Sequence, residues 1–369
     1  MALALARAEA RIDLGRLRSN YRAVAALAAR PVMPVVKADA YGHGAARIAR
    51  EFEALGAPML AVAYPEEGAA LRRAGVRIPI LVIAGCRPGE GALFVAEGLT
   101  PAVSSPATLD GAVLAAQLKP GLGVHLKVDT GMSRLGFPVT AATHVADRLA
   151  EVGIELDGLM THLASADEDA LATESQLDRF DGVLSDLAGR GHRPRWVHAA
   201  NSAGLACLRP SHTLVRPGLL LYGLHPRPHG PVVEVEPVMT LATRVALVHA
   251  VAPGTPVSYG GRWVAERPSR IATLSLGYAD GVPRTDLMSE TGFVTIRGQR
   301  AKLAGTVCMD FFMVDVTDLT DAGAGDEAIV FGDAPSAWDL ASRAGTNAWQ
   351  VLTGIGSRVP RVYSDDTVR

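Results

Sequence analysis

One repeat constrains this chain more than anything else: from residue 31 to about residue 216, short apolar runs alternate with stretches of helical period. The strand-like runs fall at 31–38 (PVMPVVKA), 59–64, 78–85, 100–104, 123–129, 155–163, 195–200 and 212–216. Between them, 44–55, 65–75, 140–152 and 175–189 carry apolar residues at helical spacing. Gly56, Gly75, Gly98, Gly153 and Gly191 close several of the intervening segments, as left-handed helix caps require. Strand alternating with helix implies parallel βαβ units. Eight such strands in about 225 residues is the count and length of a (β/α)8 TIM barrel. An open doubly wound sheet shares the alternation, but no GxGxxG follows the first strand, which favours the barrel.

Near residue 226 the texture changes. HPRPHGPVVEVEP (225–237) is a proline-rich junction, and beyond it strand-like runs at 238–251, 270–276, 293–296, 301–307, 312–316 and 327–331 are separated by Gly, Pro and Asp. Helical candidates are confined to 336–344 and 346–353. The expected organisation is a barrel domain over 1–226 and a mainly-β domain over 227–369. Residues 6–14 alternate small or apolar with charged side chains, as a half-buried strand does. The first barrel strand begins only near residue 31, so this early strand is free to pair with the second domain. A helix follows, with Asp13 as its N-cap and Leu17, Tyr21, Val24 and Ala28 on one face.

Composition removes other classes. A hydrophobic share of 49% in 369 residues excludes global disorder, and a formal net charge of −2 gives no electrostatic footprint for nucleic acid or an anionic membrane. No apolar run approaches the ~18 residues of a membrane span. The three cysteines, Cys86, Cys207 and Cys308, lie far apart without a CxxC pair, which reads as a reduced, cytoplasmic protein. His192, His198, His212, His225 and His229 lack metal-ligand spacing, so no metal is expected.

In a TIM barrel, chemistry gathers at the C-terminal ends of the strands, and the unusual residues lie there. Lys37 ends the first apolar run; Lys127, Asp129 and Arg134 surround the end of the fifth; His162 ends the sixth. Asn201 and Ser202 follow the seventh, and Arg216, Gly218 and Tyr222 the eighth. Lys37 reads either as a strand-end lysine snorkelling to water or as a desolvated amine suited to Schiff-base chemistry. Loops after strands seven and eight are common phosphate sites. There Ser202 and backbone N–H groups near Gly218 form a candidate anion cradle. A Schiff-base lysine facing a phosphate site suggests pyridoxal 5'-phosphate. Arg134 suits a substrate carboxylate, or an ion pair with Asp129. His162 alone reads more readily as structural. Tyr259, in the turn VSYGGRW, reads locally as a core tyrosine; composition assigns nothing to Tyr278, Met309 or Asp310.

Taken together, VVKADAYGHG, DTGMSRLG, HAANSAG, RPGLLLYG, VSYG, GYADG and CMD, in this order and at these spacings, resemble the alanine racemase family over nearly the whole chain. The resemblance implies a pyridoxal-phosphate enzyme with an N-terminal barrel and a C-terminal β domain, assembled as a head-to-tail homodimer. It implies that Lys37 carries the cofactor as an internal aldimine and acts as one base. Tyr259 of the other subunit would be the opposing base. By the same resemblance Tyr41, Asn201, Ser202, Gly218 and the backbone near Tyr222 lie at the cofactor and its phosphate. Arg216 faces the pyridine nitrogen, and His162 links Arg216 to Tyr259. Arg134 and the Met309 backbone hold the alanine carboxylate, Lys127 matches a lysine that some members carry as a carbamate, and Tyr278 and Asp310 border the entrance. Ser357 stands where some members place a phosphate-contacting tyrosine, which leaves a broader amino-acid racemase as the alternative. A barrel-type basic amino-acid decarboxylase shares the architecture. A non-enzymatic pyridoxal-phosphate carrier would need no opposing base. The expected product, D-alanine, serves cell-wall peptidoglycan.

Overall fold

Asp13 starts the first helix by turning its side chain back onto the backbone N–H of Arg16, 2.9 Å away. The computed structural model describes residues 6–226 and 233–365. The helix, Leu14–Ala28, buries Leu17, Tyr21, Val24 and Ala28 on one face, as the spacing predicts. Much of the proline-rich junction, with His229, lies outside the described residues.

The barrel's parallel sheet runs through Leu60–Val62, Ile80–Val82, Leu99–Val103, Gly123–Asp129, Glu155–Met160 and Trp196–His198. Most positions of its strands are buried on both faces, which is why several read as apolar runs rather than alternating ones. The first and eighth strands shrink to single bridges, Val35 with Ala61 and Val32 with Val215. Proline at 31 and 34 removes ladder donors from the first run. The ring still closes: Met33 N–H donates to Val215 O at 2.8 Å, Val35 N–H to Pro217 O at 3.1 Å and Val36 N–H to Ala61 O at 2.9 Å. Helices at Ala45–Ala54, Pro65–Arg73, Pro106–Leu118, Ala142–Glu151 and Ala170–Gly189 cover the outside.

The second domain is an antiparallel ring. Met239–Val251 pairs with Ser269–Leu274 at one end and Glu327–Phe331 at the other, and Phe312–Asp315, Gln299–Leu303 and Phe293–Ile296 complete the circuit. The early strand, Ala8–Asp13, joins this sheet, antiparallel to Met239–Val251 and parallel to Arg361–Ser364, so the first and last described strands lie side by side. The run expected at 301–307 forms instead at Gln299–Leu303, because Gly298 at φ 74° sets the hairpin turn two residues earlier. Helices Ala337–Ala344 and Ala348–Thr353 occupy the two expected stretches. Among the described residues no helix is long and apolar enough to cross a membrane.

Replacing Asp13 with Ala removes an N-cap bond and is expected to cost about 1 kcal/mol. The urea midpoint should fall accordingly with the slope unchanged.

Candidate active site

Immediately after the first barrel strand the backbone does something the sequence does not announce. Ala38, Asp39, Ala40 and Tyr41 all adopt left-handed conformations, with φ of 52–54°. Each such non-glycine residue costs about 1–2 kcal/mol, and the conformation persists only where neighbours over-determine it. Glu67 accepts the Ala38 N–H at 2.7 Å, Asp39 accepts the Ala45 N–H at 2.7 Å, and the His43 ring bonds the carbonyls of Ala40 and Tyr41. Lys37 therefore does not extend the strand; it opens a left-handed turn. That turn places Lys37, Ala38 and Tyr41 against a cavity of about 480 Å³ at the barrel mouth.

The same cavity receives Lys127, Arg134, His162, Asn201, Ser202, Arg216 and Gly218, all expected from strand-end position. Burial, helped by the Arg134 charge, lowers the Lys37 amine below the ordinary lysine range, while Glu67 pulls the other way. Lys127 falls to about 8 through burial and its cationic neighbours Arg216, Arg134 and Lys37. Asp129 does not pair with Arg134. Its Oδ1 instead accepts the N–H groups of Gly131, Met132 and Ser133, fixing the loop that carries Arg134.

Arg216 is buried, and among the described residues its two terminal nitrogens find partners without a carboxylate. It donates to the carbonyls of Thr161, His198 and Ala199 at 2.7, 2.8 and 3.2 Å, to His198 Nδ1 at 2.7 Å and, more loosely, to His162 Nδ1 at 3.5 Å. Guanidinium only donates, so His198 must accept at Nδ1 and carry its proton on Nε2. That nitrogen lies 2.7 Å from His125 Nδ1, and His125 Nε2 faces Asp157 at 3.7 Å. Gly158 makes room for this file: a Cβ there would lie 2.4 Å from the His125 ring. Sequence reasoning missed His198 and His125 as supports. The available signal was a histidine inside each of two apolar strands.

Ser202 Oγ accepts the N–H groups of Gly218 and Leu220 at 3.1 and 3.3 Å. Those amides, expected to face an anion directly, thus converge on the Ser202 hydroxyl and leave its proton to donate. The Tyr41 hydroxyl shares this corner, touching Gly218 where a Cβ would lie 2.4 Å from it, and burial pushes Tyr41 up to about 12. The Tyr41 ring stacks on Tyr222 at 4.9 Å. Gln176 ties two loops of the mouth together, donating to Thr130 Oγ1 and His162 O and accepting from Ala164 N–H. Trp349 and Thr353, from the second domain, also line the cavity.

Tyr259, Tyr278, Met309 and Asp310 are not brought to their own chain's cavity. They gather on one outer face of the second domain, where Thr306 Oγ1 donates to Tyr259 O, Tyr278 N–H to Cys308 O and Ala279 N–H to Met309 O. Tyr259 is 70% exposed, so the local reading of a core tyrosine is wrong; the left-handed Ser258 before it turns the ring outward. Ser357 borders a separate cavity of about 440 Å³, which shares Ala38 and Thr353 with the first.

Residues 12–226 match the family model for the alanine racemase N-terminal domain, and 238–363 match that for the alanine racemase C-terminal domain. The chain belongs to the alanine racemase family. An alanine racemase of Geobacter sp. (strain M21) is 41% identical over 95% of this chain and 97% of its own length. The alanine racemase of Halothermothrix orenii is 41% identical over 96% of each. Among solved structures, an alanine racemase from Streptomyces lavendulae superposes with a TM-score of 0.90 at 38% identity, covering 98% of both chains. One from Bartonella henselae, holding covalently bound pyridoxal phosphate, gives 0.88 at 30% identity over 97% of this chain and 100% of that one. The family's enzymes are pyridoxal-phosphate-dependent isomerases, and alanine racemisation is the activity these likenesses support.

Because the barrel interior is packed around the histidine file, Gly158→Ala should overpack it by about 1–3 kcal/mol. Urea unfolding should show that loss, whereas Gly153→Ala, at an open position, should cost only its backbone strain.

Proposed function

We propose that this chain interconverts L- and D-alanine with pyridoxal 5'-phosphate held at the barrel mouth, Lys37 and Tyr259 exchanging the α-proton from opposite faces. One observation carries the reading: a desolvated lysine, a hydroxyl-lined corner and a buried donor-only guanidinium meet in a single cavity. These groups fit an aldehyde, a phosphate ester and a ring nitrogen in turn. Lys37 would hold the cofactor covalently. Tyr41, Ser202 and Gly218, with Asn201 beside them, would hold its phosphate, and Arg216 its ring nitrogen. When bound, the cofactor spreads the electron pair left by removal of the α-proton.

The chain's own groups supply the rest. The lowered amine of Lys37 is able to take a proton at Nζ and return it. Arg216 donates and never accepts, so a nitrogen facing it would be held as an acceptor rather than protonated. Arg134, on the loop fixed by Asp129, suits the alanine carboxylate, with the Met309 backbone as its complement.

Tyr259 has to come from a second copy. The face that bears it also exposes Val264, Tyr278, Met309 and Phe311, a large apolar patch of the kind that marks an interface. A head-to-tail homodimer would bring Tyr259, Met309, Tyr278 and Asp310 of each chain to the other's cavity. The free cysteines Cys86, Cys207 and Cys308 accord with a cytoplasmic enzyme, whose D-alanine would feed peptidoglycan. The cavity beside Ser357 favours one alternative, a broader amino-acid racemase, which turnover of serine, lysine and arginine would reveal.

Circular dichroism of L-alanine solutions should show racemisation by the wild type and none by Lys37→Ala. Tyr259→Ala should keep the cofactor colour and lose activity. Mixing the two inactive variants with subunit exchange should restore about a quarter of wild-type activity, since only one site in each mixed dimer holds both residues. No recovery would refute the shared site.

Lys127 is a second testable point. With its amine lowered to about 8, a growing neutral fraction appears as pH rises through that value, and the neutral amine is the form that captures carbon dioxide. Labelled bicarbonate should give a carbamate carbon resonance that strengthens with pH and is missing in Lys127→Ala.

A further inference from the structure

The left-handed turn 38–41 is held from outside the barrel as well as from within. Arg361, on the last described strand of the second domain, donates from Nε to Gly42 O at 2.9 Å. Its remaining donors reach the carbonyls of Ile355, Gly356 and Val359, at 2.6, 2.7 and 2.8 Å. One guanidinium thus joins the end of the lysine-bearing turn to the loop that carries Ser357. Two residues on, Tyr363 OH donates to His43 O at 3.1 Å.

The barrel is shaped to receive these groups. A Cβ on Gly44 would lie 1.8 Å from the Tyr363 hydroxyl, and one on Gly42 would lie 2.3 Å from Leu352 O. Both glycines of the segment YGHG, at φ of 80° and 90°, therefore abut second-domain atoms. The barrel's own elements supply Glu67, Asp39 and His43 to the turn, but the carbonyls of Gly42 and His43 are satisfied only across the domain boundary.

We propose that Arg361 and Tyr363 are positioning residues: a clasp through which the second domain fixes the left-handed turn, and with it Lys37 and Tyr41. The importance of those two side chains rests on the function proposed above; the clasp itself does not. A donor-only fork suits the task, since four carbonyls from two segments converge on it. Lysine in its place could satisfy them only in part.

Hydrogen exchange on the full-length protein, with and without added pyridoxal phosphate, tests the clasp. The amides of Gly42 and Gly44 close the turn onto Ala38 O and Asp39 O, and they report directly on it. Arg361→Ala should speed exchange across 38–45 by about tenfold, the scale expected when a part-buried charge-assisted bond is lost. Exchange at Ile80–Val82 should not change. Arg361→Lys should recover part of the protection, and pyridoxal phosphate should bind more weakly to Arg361→Ala than to wild type. Tyr363→Phe removes one hydroxyl and should loosen the same segment to a smaller degree, which keeps the test available if Arg361→Ala fails to fold. Unchanged exchange across 38–45 in both Arg361→Lys and Tyr363→Phe would overturn the proposal. Failure of the wild type to bind pyridoxal phosphate would instead refute the functional reading and leave the exchange result to judge the clasp.

Discussion

A guanidinium buried without a counterion is the condition that organises the barrel mouth. Burial pushes Arg216 down to about 10, which still leaves it charged at neutral pH, and an uncompensated charge in a dry interior is costly. Compensation comes from geometry. Where strands six and seven end, the carbonyls of Thr161, His198 and Ala199 turn towards one point, that of His198 while also accepting the Thr161 N–H. A ring of such dipoles solvates the cation as water would, and it does so rigidly. The donor-only character of Arg216 then dictates the protonation of His198, and through it that of His125. Burial lowers both histidines and the Arg216 charge pushes the same way, while Asp157 opposes it at His125. A single side chain thereby orders a polar file from the mouth to the foot of the barrel.

The same mouth is crowded with positive charge. Lys37, Lys127 and Arg134 share it with Arg216 and one lining carboxylate, Asp167, while Asp129 nearby is committed to three backbone N–H groups. Repulsion among these groups helps lower both lysines. A cavity built this way gains most from ligands that arrive carrying negative charge, as a phosphate ester and an amino-acid carboxylate do. It also explains why Lys127 would be better tolerated as an anionic carbamate than as a fourth cation. The sign of the field, more than any single contact, selects the class of ligand.

Much of this was legible in sequence because it is local. Apolar runs bounded by glycine gave six of the eight barrel strands nearly in place. The first and eighth were harder, since prolines at 31 and 34 strip the first of ladder donors and leave bridges rather than a strand. The strand-end rule gathered Lys37, Lys127, Arg134, His162, Ser202 and Arg216 correctly, because parallel barrels present those positions at one face. What escaped was non-local. KADAY is made of L-residues for which the left-handed region is unfavourable, and nothing in it foretells a left-handed turn; contacts from Glu67, Arg361 and Tyr363 join those of Asp39 and His43 in holding it. The outward face of Tyr259 likewise depends on the backbone of Ser258 and on a loop some fifty residues away.

That non-local dependence bears on why the two domains belong together. A barrel of this kind encloses its own core, and Tyr41, Tyr222 and Arg216 are buried largely by barrel residues. Its mouth, however, contains four residues in a conformation that isolated peptides avoid. Strain of that size beside Lys37 has to be offset somewhere, and part of the balance comes from the last described strand. The strand Arg361–Ser364 is itself held parallel to Ala8–Asp13, which leads directly into the first barrel helix. The first described strand, the last described strand and the lysine-bearing turn are thus mechanically linked. Loosening any of these links would relax the turn before it unfolded the barrel, so activity should be more fragile than the fold that houses it.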